Sequence, residues 1–378
     1  MAKICCIVGA RPQFVKYAPV ARALREHADL KSVLIHTGQH YDYNMSRIFF
    51  DEMGIPAPDY HLDVGSGSHA YQTAEALIRI EEALLAERPD AAVVFGDTNA
   101  TLSGAMAAVK LHIPVVHIEA GLRSFNRDMP EEINRVLTDH ASTLLFCPCK
   151  GAAARLVSEG LPGAVRNGDL VTADDLSGLP SRMVFEDRIV LNAGDVMRDV
   201  LRYSLSAAEQ TSAIMDRLGL AAGSYGLLTL HRAENTDDPE QMQRMVHFIN
   251  RAADGIPLMF PMHPRTRKSL NGLEHGFCRD VHILEPLGYF DLLILLQNSR
   301  FLMTDSGGMQ KEAYWLRVPC LTLRNETEWQ ETLDSGWNRL YADFDGTFAA
   351  GAGSVDAYGR GTAAVTIAAV LARLLPNR

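Results

Sequence analysis

Arg300-Phe301-Leu302-Met303-Thr304-Asp305-Ser306-Gly307-Gly308-Met309 reads as a buried strand that runs into a tight turn and then into a helix reaching Leu316. A helix start at the carboxyl end of a parallel strand offers free N–H donors and the positive end of the helix dipole, and two glycines let an oxyanion come close to the backbone. A plainer reading is that Ser306 only caps the helix and the glycines only turn the chain. What surrounds the stretch decides between the two.

Outward from it, short apolar runs alternate with amphipathic stretches of helical length, as parallel sheets flanked by helices require. The expected strands of the first half are Lys3–Gly9, Lys31–Thr37, Ala91–Gly96, Pro114–Glu119 and Leu144–Cys147, with helices over Tyr17–His27, Ala70–Glu87 and Ala100–Lys110. Those of the second half are Tyr225–Leu230, Pro257–Met262, Val281–Leu284, Arg300–Thr304 and Pro319–Leu323. The reading is α/β, two doubly wound Rossmann-like domains with a cleft between them. They span 1–192 and 193–361, and a closing helix within 362–378 packs back on the first. The segment Leu161–Asp187, rich in Gly, Pro and Asp, is expected to be a long loop or irregular hairpin.

A chain of 378 residues, 47% hydrophobic and 22% charged, is sized for two globular domains. No apolar run nears the roughly 20 residues of a membrane span, and Met1–Gly9 reads as a buried strand, not a leader, so the protein is expected in the cytoplasm. A formal net charge of −10 argues against a nucleic-acid partner. The six cysteines, Cys5, Cys6, Cys147, Cys149, Cys278 and Cys320, lack zinc-site spacing and read as reduced core thiols. No metal and no cofactor is expected.

Polar residues gather where strands end. Glu312 falls on the same helix face as Gly308, where a carboxylate suits two ribose hydroxyls. Arg11 and Lys16 follow the first strand and offer cations for phosphate. Asp97, Glu119, Glu131 beside Glu132, and His231 stand at or just past strand ends, as proton transfer needs. Singly, each has a bland reading: Asp97 as a cap, Glu131 and Glu132 as dipole partners, His231 as a core residue. His263, in Met262-His263-Pro264-Arg265-Thr266-Arg267, is a further nucleotide-pocket residue. Separate strands and the absence of paired histidines one turn apart speak against a metal site.

The motifs GARPQFVK (Gly9–Lys16), TGQHYDYNM (Thr37–Met45), GDTNATL (Gly96–Leu102), HIEAGLRS (His117–Ser124), PEEINR (Pro130–Arg135), HRAENT (His231–Thr236) and TDSGGMQKEA (Thr304–Ala313) occur in that order. Together they resemble the non-hydrolysing UDP-N-acetylglucosamine 2-epimerase family. The resemblance implies a GT-B fold, a UDP-sugar substrate, a homodimer, and C2 inversion through loss and return of UDP by way of a 2-acetamidoglycal. Carried onto this chain, it makes Asp97, Glu119, Glu131 and His231 catalytic. It makes Arg11, Ser306, Gly307, Gly308 and Glu312 nucleotide-binding, and Lys16, Arg123, His263 and Arg265 join them as substrate- or UDP-binding residues on the reading of the residues alone.

Further segments, among them HIEAGLRSFN (His117–Asn126), GDVMRD (Gly194–Asp199) and LRNETEW (Leu323–Trp329), resemble the epimerases acting on UDP-2,3-diacetamido-2,3-dideoxy-glucuronate in lipopolysaccharide O-antigen synthesis. Relatives acting on UDP-N-acetylglucosamine carry a Thr-Thr-Glu-Arg-Pro run where this chain has Asn325–Trp329. A glucuronate carboxylate needs a cation, and Arg123, Arg127, Arg265 and Arg267 are all open to that role. Other readings are UDP-N-acetylglucosamine epimerisation, hydrolysing or not, a GT-B glycosyltransferase and a UDP-sugar-binding regulator. Thr37-Gly38-Gln39-His40 with Met45 suggests a second ligand site.

Overall fold

The computed structural model describes residues 1–38, 57–253, 255–262, 264–270 and 276–375, and for Arg11, Ala233, Pro264 and Arg265 the backbone alone. The chain forms two units, Met1–Val200 with Ala357–Arg378, and Leu201–Asp356. The division falls inside the helix Val196–Thr211.

The strands of the first unit are β1 Ala2–Val8, β2 Leu30–His36, β3 Tyr60–His61, β4 Ala91–Phe95, β5 Val115–Ile118, β6 Leu144–Cys147 and β7 Ile189–Asn192. All described pairings are parallel, in the order β3-β2-β1-β4-β5-β6-β7. A strand covered on both faces must be apolar on both, which is why β1 reads as an unbroken run. Ile4, Cys6 and Val8 enter one core with Phe14, Tyr17 and Leu24 of the helix Arg11–Arg25 and with Ile367 and Leu371 of the helix Ala363–Leu374. Cys5 and Ile7 enter the opposite core with Ile80, Leu84 and Ala105.

The closing helix Ala363–Leu374 starts at Thr362 without a side-chain cap. The buried carboxylate of Asp199 serves instead, accepting from the amides of Ala363 at 3.1 Å and Ala364 at 3.0 Å. Burial lifts Asp199 to about 6 although those amides oppose the rise. Leu161–Asp187 is irregular, with a short 3-10 turn at Val165–Gly168, and it contributes Val171, Leu179 and Met183 to the first core.

The second unit holds β8 Gly226–Thr229, β9 Leu258–Pro261, β10 Val281–Leu284, β11 Phe301–Thr304, β12 Cys320–Thr322 and β13 Asn338–Leu340, parallel in the order β10-β9-β8-β11-β12-β13. Leu228 packs with Met242, Val246 and Phe260 on one face; Leu227 packs with Ile294, Leu295 and Ala313 on the other.

Both sheets share one logic. The strand order reverses between β1 and β4 in the first unit and between β8 and β11 in the second. Ligands of open α/β sheets bind at the carboxyl ends of the strands flanking such a reversal. Among the described residues no helix is long and apolar enough to cross a membrane.

Candidate active site

At the reversal in the first unit, the chain leaving β4 is held carbonyl by carbonyl. Phe95 O accepts from Gln13 Nε2 at 2.9 Å and Thr101 Oγ1 at 2.7 Å, Gly96 O from His117 Nε2 at 2.8 Å, and Asp97 O from Asn134 Nδ2 at 3.0 Å. Four separate sequence motifs thus converge on three successive carbonyl groups, of which those of the buried Phe95 and Gly96 would otherwise be left unsatisfied. Gln13 also accepts from the amides of Gly9 at 2.7 Å and Ala10 at 3.0 Å, so the exits of β1 and β4 are clamped by one side chain.

The residues expected to serve acid–base chemistry in the first unit stand on this frame. Lys16 Nζ lies 2.5 Å from Glu119 Oε1, with side chains 11% and 8% exposed. A Cβ on Gly96 would come within 3.2 Å of Lys16 Nζ, and Gly96 has φ +62°, so glycine serves here both conformationally and sterically. Glu119 itself sits at φ +74°, a left-handed conformation costing a non-glycine residue about 1–3 kcal/mol. Asp97 Oδ2 accepts from Arg135 Nη2 at 2.5 Å. Burial raises the Asp97 pKa and the neighbouring Glu119 adds to this, against Arg135 and Lys16. Burial disfavours the Lys16 ammonium, but Glu119 and Asp97 more than offset it and hold its pKa above the usual value.

The Glu119 bend is fixed from behind by a residue that stands outside every motif named above. Asp139, fully buried, accepts from Gly121 N at 3.1 Å and Arg123 Nη1 at 2.6 Å and lies 2.7 Å from His117 Nδ1. Burial works to raise its pKa, yet His117 and Arg123 hold it below the usual carboxylate value. Glu132 accepts from the amides of Ser124 at 2.8 Å and Phe125 at 3.1 Å and from Arg135 at 3.0 Å. Glu131 is exposed on the first turn of the helix Pro130–Ala141.

In the second unit Asp305, fully buried at the end of β11, accepts from the amides of His231 at 3.0 Å and Arg232 at 2.8 Å and from Asn235 Nδ2 at 3.3 Å. His231 Nδ1 lies 3.0 Å from its other oxygen. Burial would raise Asp305, but His231 and these amides depress it. The carboxylate therefore orients the imidazole and leaves Nε2, on a side chain 45% exposed, as the nitrogen offered to a ligand.

Ser306 caps the helix Gly307–Leu316 through a long 3.5 Å bond from Met309 N. Among the described residues the amides of Gly307 and Gly308 have no acceptor, which leaves the donors of the helix start open. The glycines differ. A Cβ at Gly307 would stand 3.0 Å from Glu328 Oε1 and 3.1 Å from Trp329 Nε1, whereas at Gly308 its nearest neighbour would be 3.9 Å away. Thermal unfolding is expected to show Gly307→Ala destabilised by about 1–3 kcal/mol and Gly308→Ala close to unchanged.

Glu312 accepts from Tyr289 Oη at 2.7 Å and is 5% exposed. Burial lifts its carboxyl to about 7, against the Tyr289 hydrogen bond and the Lys311 charge. Its folded-state value lies above the unfolded one. Stability is therefore lost as pH rises from about 4.5 to 7, by an amount on the order of 3 kcal/mol. Denaturant melts should show Glu312→Gln more stable than the parent chain at pH 8, the gain vanishing towards pH 4.5.

Other expected site residues fare unevenly. Arg123 is 4% exposed and committed to Asp139 and to both oxygens of Glu159, at 2.9 and 2.7 Å, so it braces the fold. Arg127 is exposed, and Arg267 pairs with Glu285 at 2.9 Å. His263 and the side chains of Arg11 and Arg265 lie outside the described residues, as do Gln39, His40 and Met45. Among the described residues no group of three or more His, Cys, Asp or Glu is placed to hold a metal ion.

The family model for UDP-N-acetylglucosamine 2-epimerase matches residues 22–372. The chain is 44% identical over 340 residues, 89% of it and 88% of the relative, to UDP-2,3-diacetamido-2,3-dideoxy-D-glucuronate 2-epimerase of Pseudomonas aeruginosa. It is 43% identical over 350 residues, 90% and 88% of the two chains, to UDP-N-acetylglucosamine 2-epimerase of Methanococcus maripaludis. The solved structure of the Methanocaldococcus jannaschii UDP-GlcNAc 2-epimerase in complex with UDP-GlcNAc and UDP aligns with a TM-score of 0.79 at 37% identity, covering 98% and 99% of the two chains. The two Rossmann-like domains, GT-B-like in architecture, and the ordered motifs agree with one assignment: the chain belongs to the UDP-N-acetylglucosamine 2-epimerase family and is a UDP-sugar 2-epimerase, an isomerase.

Proposed function

We propose that the substrate is UDP-2,3-diacetamido-2,3-dideoxy-glucuronate, inverted at C2 to the manno form for surface-polysaccharide (O-antigen) synthesis by a cytoplasmic homodimer. The observation that carries this is the 44% identity with the Pseudomonas aeruginosa enzyme of that specificity, joined to the Leu323–Trp329 segment. A second reading, UDP-N-acetylglucosamine, is favoured by the 43% identity with the Methanococcus maripaludis enzyme.

In either case the C1–O bond breaks with its electron pair leaving on UDP, a base takes the C2 proton, and a C1=C2 glycal forms. Return of UDP to C1 and of a proton to the opposite face of C2 completes inversion. The chemistry needs a diphosphate-holding turn and a proton-transfer cluster. The second unit has the first in Ser306, Gly307 and Gly308, with Glu312 for the ribose and His263 and Arg265 beside the nucleotide. Arg11 supplies a cation to the phosphates. Asp97, Glu119, Glu131 and His231 form the catalytic set, Lys16 holds Glu119 in place, and Arg123 takes a bracing part.

The test is incubation with each UDP-sugar in deuterated water, following C2 by NMR. The uronate should invert with solvent deuterium at C2. Inversion of UDP-N-acetylglucosamine alone would overturn the substrate, and inversion of neither would overturn both readings.

A further inference from the structure

The second unit contains a cavity of about 280 Å³ that none of the expected site residues explains. Its lining includes Arg324, Asn325, Asn235, Gln241 and Tyr341. Arg324, the residue following Leu323 at the end of β12, is 4% exposed. A guanidinium carries five N–H donors, yet among the described residues Arg324 makes one ion pair, Nη1 to Glu328 Oε2 at 3.1 Å, and its Nε is buried without an acceptor. A buried cation so short of acceptors is costly for folding alone, and it becomes useful when a ligand supplies the missing oxygens.

We propose that this cavity receives the C6 carboxylate of the uronic-acid sugar, with Arg324 as its cation; the proposal rests on the uronate reading above. Two contacts tie the cavity to the rest of the site. Asn235, in its wall, donates to Asp305 Oδ2 at 3.3 Å and to Leu323 O at 3.0 Å, so it adjoins the carboxylate that orients His231. Glu328, the partner of Arg324, stands 3.0 Å from the point where a Cβ on Gly307 would be, so the same loop borders the anion-facing turn.

The charge pattern suits a monoanion. Two acids, Glu234 and Asp238, also line the cavity, but their side chains are 60% and 57% exposed and lie near Arg232 at 4.0 Å and Arg244 at 3.7 Å. Solvated rim charges repel a single carboxylate weakly and a dianionic phosphate more strongly. The floor, by contrast, is a buried guanidinium that one nitrogen ties to Glu328, beside neutral amides, and its other donors are left for a ligand. A bidentate carboxylate on Arg324 satisfies donors that the protein leaves open.

The experiment compares kcat/KM for the uronate substrate with that for its neutral counterpart bearing CH2OH at C6. In Arg324→Gln the ratio of the two should fall about 100-fold, and Arg324→Lys should recover part of it. Asn325→Asp is a second variant on an exposed position, and it should lower the ratio in the same direction by placing a carboxylate beside Arg324. An unchanged ratio in the variants, even with both rates reduced together, would overturn the carboxylate site and leave the substrate standing. Parent enzyme that inverts only UDP-N-acetylglucosamine would instead overturn the substrate reading, and the site with it.

Discussion

Glu119→Gln is expected to lower kcat for C2 inversion by about 10²–10⁴-fold, with UDP affinity measured by calorimetry changed by less than about threefold. Glutamine keeps the shape and can still accept from Lys16, so the 2.5 Å contact survives in weaker form. What is lost is a carboxylate that can take a proton. The effect should also reach Asp97. In the parent chain Glu119 is one of the causes raising Asp97, while Lys16 opposes it. With Glu119 neutral, the uncompensated ammonium pulls Asp97 down, so the acid limb of the residual kcat/KM profile should move to lower pH. A kcat within tenfold of the parent, or an acid limb that stays put, would show that this ion pair is structural and that the proton passes elsewhere.

The fold was legible because its signal is periodic. A strand buried on both faces needs a continuous apolar run, and ten such runs were long enough to be seen as strands. The strands that escaped are edge elements. Tyr60–His61 has two residues, Asn338–Leu340 has three, and Ile189–Asn192 emerges from the irregular stretch that hides it. Candidate site residues such as Asp97, Glu119 and His231 stand out in the sequence because a motif carries each of them. Their partners do not, because Gln13 meets Phe95 and Asn134 meets Asp97 across long sequence separations that only the strand order brings together. Arg324 lies in the quoted Leu323–Trp329 segment, but a cation at a strand end is unremarkable until its burial and its missing acceptors are known. Arg123 also stands inside a motif and invites a ligand role, and its contacts with Asp139 and Glu159 engage it instead.

Asp139→Asn should destabilise the first unit by about 3–5 kcal/mol, the usual cost of removing one partner from a buried ion pair, and should lower kcat as well. Asp139 is depressed below the usual carboxylate value, so its contribution is present above the unfolded-state value and lost only as pH falls through the folded one. The stability gap between parent and variant in denaturant melts should therefore be flat from pH 5 to 8. The catalytic effect follows from geometry: His117, Gly121 and Arg123 all lean on this one side chain, and Glu119 lies between them in a left-handed conformation that the local chain does not favour. Relaxing the brace lets that residue return towards ordinary backbone angles and swings its carboxylate away from Lys16. An Asp139→Asn enzyme that is less stable yet keeps the parent kcat and pH profile below its melting temperature would show that the strain at Glu119 is set by β5 and β6 alone. Loss of kcat with unchanged UDP binding would instead identify Asp139 as the residue that positions the acid–base cluster.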